Sequence, residues 1–520
     1  MPQDYVREAF KRSLNPERQW WRITVFQKIT EDAPNAPGPS KELRRSTREQ
    51  RVRPKERHFL VGEPFFRLPA TPSVFDIGTR GYVAFDTQDK TLVYLKDQWR
   101  IDYDEKIEGD VIRTLNSKGV GHVPTLVCHG DIRDEDGEVQ TSSNQIYWNT
   151  EENVEYYEDV PMMIHYRLVQ KEVPCPLKDF GRSYDLVKIV SDCLQGHQEA
   201  VEKVGILHRD VSERNVMCIP IEKTGPDGET HTEYKGILCD WSLATDSVPP
   251  TSINDDGVVE IKKKEHRTKN QKRTRRDEDS SSISSASSTA SSLRMGTWKF
   301  MSIRLSDHRM RLPTVQDDLE SFFYVLLYEG VRYLSHNSPN VTLFIDENFD
   351  QHGDYGGRHV CSGGKRDMIR SNVPIHHGLY TGPLAFRHTD GERAHPLNAL
   401  VTTLTSWFKA YYDICYDRIE LKEHVKPMRS RDIGKYRALR GGTSDEESDT
   451  EDNIERQNQM IDKENQRSLA MMEQNRVRVV VLKNHDAMLA LFRKALSRTG
   501  AWPKSDKVAD QLGVKERPPL

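Results

Sequence analysis

Asp210 and Asn215 stand five residues apart in His208-Arg209-Asp210-Val211-Ser212-Glu213-Arg214-Asn215, and a second carboxylate follows in Asp240-Trp241-Ser242. These residue types at this spacing suit phosphoryl transfer to a hydroxyl. Such a reaction needs an acceptor for the hydroxyl proton, a role for Asp210. It also needs hard oxygen ligands for Mg²⁺ beside the phosphates of ATP, which Asn215 and Asp240 can supply. Five residues fit in one loop, so Asp210 and Asn215 can be aimed at one point. Taken singly, an Asp or Asn in a loop is a cap or a turn residue. What raises the reading above that is a series of further matches in chain order.

Upstream, Gly78-Thr-Arg-Gly81-Tyr-Val83 reads as a glycine-bearing strand turn. Glycines let backbone N–H groups approach phosphates without a Cβ in the way. Asp76 stands where a first glycine belongs, a charge ill-suited to phosphate. Val93-Tyr-Leu-Lys96 follows, with Lys96 placed to hold the α- and β-phosphates and in need of a carboxylate partner. Glu108 fills that role, one turn before Val111-Ile112 on a helix expected over about 102–118; Glu105 is the alternative. Read alone, Lys96 and Glu108 are two exposed charges.

Short β-type runs at 82–85 and 92–95 flank the turn Asp86-Thr-Gln-Asp-Lys90. Further strands are expected at 123–128 and 162–169. Apolar residues at helical spacing predict helices over 183–205, running straight into the Asp210 loop, and over 317–334 and 397–415. His197 lies on the apolar stripe of the first and reads as a packed core histidine. Helical spacing returns over 477–496, ahead of Trp502-Pro503.

Of 520 residues only 36% are hydrophobic, and mean hydropathy is −0.74, so sizeable polar segments must lie outside the core. Residues 1–60 read as a polar extension, with one helix near 3–12 and a basic stretch over 44–57. Residues 131–159 form an acidic surface insert. Residues 246–293 join a basic run, 262–276, to a serine tract, 280–292, and predict disorder. Residues 425–466 form a linker with an acidic block at 444–452. A net charge of −4 gives no global case for nucleic-acid binding. Seven scattered cysteines without a C-x-x-C pair argue against zinc or a disulfide framework and for an intracellular setting. Neither a secretory leader nor an apolar run long enough for a membrane span is found. The basic run is an import-signal candidate, a patch for an acidic partner, or simply a solvated loop; these leave cytoplasm and nucleus both open.

Downstream, Gly296-Thr297-Trp298-Lys299-Phe300-Met301-Ser302-Ile303-Arg304 is followed by Asp317-Asp318-Leu319-Glu320-Ser321, with Asp318 expected to cap a helix. Together with Leu95-Lys96-Asp-Gln-Trp99-Arg100, His165-Tyr166-Arg167-Leu168-Val169 and the Asp210 loop, these stretches resemble the fungal-type protein kinase family over about 70–512. The end of the Asp240–Gly296 segment is similar to that of casein-kinase-1-type enzymes. The resemblance implies an α+β, bilobal protein-kinase-like fold: a small β-rich N-lobe over 61–170, a larger helical C-lobe over 171–424, disordered inserts, and a 467–520 helical segment docked on the C-lobe. It implies ATP and Mg²⁺ as cofactors and Ser/Thr of protein substrates as acceptor. Site residues then follow: Asp210, Lys96, Glu108, Arg209 and Thr297 in catalysis; Gly78, Gly81, Val83, Lys96, Leu168 and Val169 around the nucleotide; Asn215 and Asp240 on the metal. Arg209 is a receiver for a phosphate on the segment near Thr297 or in the serine tract.

Departures keep two alternatives open. Asp76, Trp241-Ser242 for Phe-Gly, and Arg304 for a Glu point to a pseudokinase scaffold that binds nucleotide without turnover. A kinase-fold phosphotransferase acting on a small alcohol shares the Asp210–Asn215 pattern, but the Gly296–Ser302 and Asp318–Ser321 stretches argue against it. Ser212 replaces the usual phosphate lysine of Ser/Thr kinases, and Arg214 stands where many tyrosine kinases carry arginine.

Overall fold

Alternation along Leu92–Ile101 organises the β-rich part of the protein. Val93 and Leu95 point to one face of the strand, Tyr94, Lys96 and Gln98 to the other. The computed structural model describes residues 4–27, 55–67, 78–102, 106–142, 162–225, 228–247, 296–307, 312–355, 358–370, 375–376, 382–424 and 480–513. Asp76, Glu105, the rest of the acidic insert, the basic run, the serine tract and the 425–466 linker lie outside the described residues.

Seven strands form one sheet: β1 (Trp21–Gln27), β2 (Lys55–Val61), β3 (Phe66–Arg67), β4 (Arg80–Asp86), β5 (Leu92–Ile101), β6 (Leu126–Asp131) and β7 (Met163–Gln170). Their order is β1-β2-β4-β5-β7-β6, with β3 also on β4. Val25, Phe59, Val61, Tyr82, Ala84, Val93, Leu95, Cys128 and Val169 pack together on one face. On the opposite face lie Val83, paired with Tyr94, and Lys96, paired with Leu168. In its described parts the polar N-terminal extension is thus integrated with the sheet. Helix α1 (Asp4–Ser13) buries Val6 and Ala9, and β1 and β2 extend the sheet.

Helix α2 (Glu108–Ser117) starts later than the sequence predicts and faces the sheet through Val111, Ile112 and Leu115. After β7, the strand β8 (Cys175–Pro176) pairs with β10 (Val216–Thr224), which pairs in turn with β11 (Thr230–Leu238). Helix α3 (Ser183–Val204) and the short strand β9 (Ile206–Leu207) lead into the Asp210 loop. The described residues of Met1–Phe180 and Gln195–Thr245 belong to one compact unit; those of Gly181–Leu194 and Gly296–Leu520 belong to a second.

The second unit is mostly helical: α4 (Ile303–Asp307), α5 (Val315–Tyr333), α6 (Val341–Ile345), α7 (Gly363–Arg370), α8 (Pro396–His424) and α9 (Asp486–Leu496). Helix α5 is buried nearly all round, as its unbroken Phe-Phe-Tyr-Val-Leu-Leu-Tyr run requires. Its N-cap is Thr314, not Asp318. Thr314 N and Oγ1 both donate to Asp317 Oδ2, at 2.7 and 2.8 Å, the carboxylate half of a capping box. Trp502 packs edge-on against His395 and Tyr184, and Asp506 accepts from His395 Nε2 (3.0 Å) and Ser183 N (2.9 Å). Among the described residues no helix is long and apolar enough to cross a membrane.

Candidate active site

Lys96 reaches its carboxylates because β5 presents it on the face that α2 covers. Its Nζ lies 3.0 Å from Glu108 Oε2 and 2.8 Å from Asp240 Oδ1. Burial alone would push the Lys96 pKa down; the two carboxylates overcome it and hold the amine firmly protonated. Burial raises the Glu108 pKa, and Lys96 only partly offsets this. Asp240 behaves oppositely: Lys96 outweighs its desolvation and holds its pKa down at about 2. An ionised carboxylate is therefore kept where a hard cation would be needed.

Glu108 is fixed by more than Lys96. Gln98 Nε2 donates to the same Oε2 at 3.2 Å, and Thr79 Oγ1 donates to Gln98 Oε1 at 3.3 Å. Tyr166, paired with Gln98 in the sheet, accepts from Gly109 N at 3.0 Å and so caps the first turn of α2. A Cβ on Gly109 would lie 2.2 Å from the buried His129 ring, which explains glycine beside Glu108. The neighbouring motif residues lock the strands: Asp97 accepts from His165 (2.7 Å) and Arg167 (2.8 Å), Trp99 stacks on His165, and Arg100 pairs with Asp131.

Asp210 and Asn215 are joined within one loop. Asn215 Nδ2 donates to Asp210 O at 2.8 Å and to Asp210 Oδ2 at 2.9 Å, with the amide oriented by that network. Its acceptor oxygen is then the atom it can offer a cation. Cys239 N donates to Asn215 O at 2.8 Å, which ties the loop to the residue before Asp240. His208 makes a second tie: its Nε2 lies 2.9 Å from Cys239 O, and Asp210 N donates to its Nδ1 at 3.2 Å. Arg209 (φ 70°) and Asp240 (φ 60°) both occupy the left-handed region, an unusual conformation for residues with a Cβ. Trp241 packs inward, fully buried, with Nε1 donating to Leu238 O at 3.0 Å and its ring edge-on to His208.

The chain matches the Fungal protein kinase family over residues 38–329, more than half its length and including every residue of this cluster. The chain belongs to the fungal protein kinase family. No curated protein matches it.

Other residues predicted for this kinase family site fall less evenly. Gly78 (φ 57°) lies two residues before β4, and Gly81 lies within it, paired with Lys96. Val83 and Leu168 share the face that carries Lys96, whereas Val169 pairs with Leu95 in the core of the opposite face and is turned away from the lysine. Thr297 opens a single 3₁₀ turn, Trp298–Phe300, in the second unit. Composition gave no hint of Gln98 or Tyr94. Both could have been found from period two, since they share the face of Lys96.

Within the second unit the segment around Thr297 is fastened without a carboxylate at position 304. Glu320 accepts from Ile303 N (3.1 Å), Tyr324 Oη (2.6 Å) and Tyr412 Oη (2.6 Å). Burial raises its pKa to about 7 despite those donors. Lys365 Nζ, also buried, donates to Lys299 O (2.8 Å) and Met301 O (3.2 Å) and lies over the Tyr324 ring. Desolvation holds the Lys365 pKa down. Arg304 stacks on Tyr411.

Proposed function

We propose that the chain is an ATP- and Mg²⁺-dependent protein kinase that phosphorylates serine or threonine in protein substrates. The observation that carries this is the bridge from Glu108 through Lys96 to Asp240, beside the bonded pair Asp210–Asn215. Lys96 supplies the buried cation that phosphates would bind. Asp240 and Asn215 supply hard oxygen donors that fit Mg²⁺. When bound, the metal would neutralise charge on the phosphate oxygens. Asp210 accepts the proton of the attacking hydroxyl as the new O–P bond forms at the γ-phosphorus, while the bond to the β–γ bridging oxygen breaks and ADP departs. Asn215, holding the Asp210 carboxylate, keeps it from turning away.

Family membership supports a protein acceptor over a small alcohol, and Gly296–Ser302 with α5 would serve as its platform. We also read the chain as a β-rich N-lobe over 61–170 and a helical C-lobe over 171–424, the setting as intracellular, and Arg209 as receiver for a phosphate near Thr297.

The test is transfer of labelled γ-phosphate by the full chain with Mg²⁺ beside Asp210→Ala. Removing a general base lowers turnover by about 10²–10⁴-fold. Label on Ser or Thr that needs Asp210 is the expected result. Label on Tyr would overturn the acceptor class. Nucleotide binding without transfer in either protein would make the chain a scaffold.

A further inference from the structure

A nucleotide has a charged end and an aromatic end, and the site treats them differently. The charged end is provided for by Lys96 and Asp240. The aromatic end needs the apolar continuation of the same sheet face, which is Val83 and Tyr94, directly paired across β4 and β5. That surface is already covered by the protein itself. Val6 and Ala9 of α1 pack with Val83 and Val173 in one buried cluster, and Tyr5, Phe10, Leu92 and Tyr94 close around it. Tyr5 Oη donates to the main-chain oxygen of Val173 at 2.6 Å, in the connection from β7 to β8. A hydroxyl donor on a main-chain carbonyl of this connection, with apolar groups behind it, reproduces what a base with an amino group would present.

Tyr94 continues the plug inward. Its hydroxyl reaches beneath Gly81: a Cβ there would lie 2.2 Å from Tyr94 Oη. Since Gly81 pairs with Lys96, the phenol points along the face toward the phosphate end. Tyr94 is half-buried, and Lys96, Asp240, Glu108 and Cys239 all lie close enough to its hydroxyl to act on it electrostatically. The helix is anchored at its far end by main chain, with Glu63 N donating to Ser13 O at 2.9 Å and Gly62 leaving no room for a Cβ against that carbonyl.

We propose that helix α1 is an intramolecular ligand for the base end of the nucleotide site, and that nucleotide and helix exclude one another there. This rests on the kinase reading above. Access to ATP is then set by undocking of residues 4–13, with Tyr5 as the residue that competes for the Val173 carbonyl. A partner that binds the apolar stripe of α1 would switch the site on.

The test uses the full chain and MgATP. Val6→Glu with Ala9→Glu places two carboxylates against Val83 and should tighten nucleotide binding at least tenfold by calorimetry. Tyr5→Phe, which keeps the ring, should tighten it two- to tenfold, and Glu8→Gln on the exposed side of α1 should change nothing. In the unaltered protein, MgATP should speed tryptic cleavage after Lys11 and Arg12, since cleavage needs the helix to open. Equal affinity in wild type and both docking variants overturns the proposal, as does nucleotide that binds while slowing cleavage in α1. If none of the proteins binds nucleotide, the kinase reading itself falls and this inference with it. Binding only after Val6→Glu/Ala9→Glu is the strongest support.

Discussion

Glu320 should make stability fall as pH rises toward neutrality, and Glu320→Gln should abolish that fall. The carboxyl is buried with Ile303 N, Tyr324 Oη and Tyr412 Oη as donors, and burial, with Asp317 nearby, raises its pKa from 4.5 to about 7. Below the unfolded pKa both states carry the proton, and the site contributes its full stability. Between 4.5 and about 7 the unfolded chain loses the proton while the folded chain keeps it. The folded state then binds more protons, so unfolding becomes easier with each rise in pH. The gap corresponds to about 3 kcal/mol. Glutamine keeps an acceptor for Ile303 N and Tyr324 and cannot ionise. Urea midpoints for both proteins between pH 4.5 and 8 give the difference in stability directly. The variant should gain about 3 kcal/mol on wild type across that range, with most of the gain between pH 5 and 7. A difference that stays flat would show that Glu320 is ionised throughout, and the desolvation argument would be refuted.

Three further substitutions probe the site and its supports. Gln98→Leu removes one donor to the buried Glu108 carboxylate and should lower kcat/KM about tenfold in the transfer assay, since a hydrogen bond to a charged group contributes about 1.5–3 kcal/mol; unchanged kcat/KM would leave Gln98 no positioning role. Gly109→Ala drives a Cβ against the buried His129 ring and should destabilise the protein by about 1–3 kcal/mol, read as a lower Tm. Lys365→Met leaves the carbonyls of Lys299 and Met301 without their donor and should cost about 1–3 kcal/mol, with faster proteolysis around residue 300; wild-type behaviour would exclude a clamp there.

The joining of Asp210 to Asn215, and of their loop to the segment bearing Asp240, was legible because phosphoryl transfer would need such residue types at short spacing. Lys96 and Glu108 were legible only through those matches, since as a pair they look like surface charges. The N-terminal region was misread for a physical reason. Its composition is polar, but Arg57 is buried by pairing with Asp86 and Asp89, and its guanidinium lies over the Phe59 ring. Only Val25 of β1 is fully buried, so period two was faint in a strand that leans on the sheet edge. In α1 the apolar stripe is just Tyr5, Val6, Ala9 and Phe10. Such a stripe predicts a helix, but nothing in it tells which surface it covers. Val169 was misplaced for want of register: one residue along β7 changes the face, and only the pairing of Leu95 with Val169 decides it.

The departures from the family's pattern can be weighed by what the surrounding chain does with them. Arg304 stands where a carboxylate is usual, yet Glu320 sits one helix away and accepts from Ile303 N, while Tyr412 both donates to Glu320 and receives Arg304 N at 3.3 Å. The fastening survives with its carboxylate moved. Trp241 in place of Phe gains an indole N–H that bonds Leu238 O, and it packs on the histidine whose Nε2 meets Cys239 O. A flip of this segment would break both contacts and would lack the glycine that eases such a turn, because Ser242 follows. Asp240 is thereby held against Lys96. If the Lys96 end is kept assembled in this way, control of the proposed nucleotide site would fall on its other end, beside Tyr94 and helix α1.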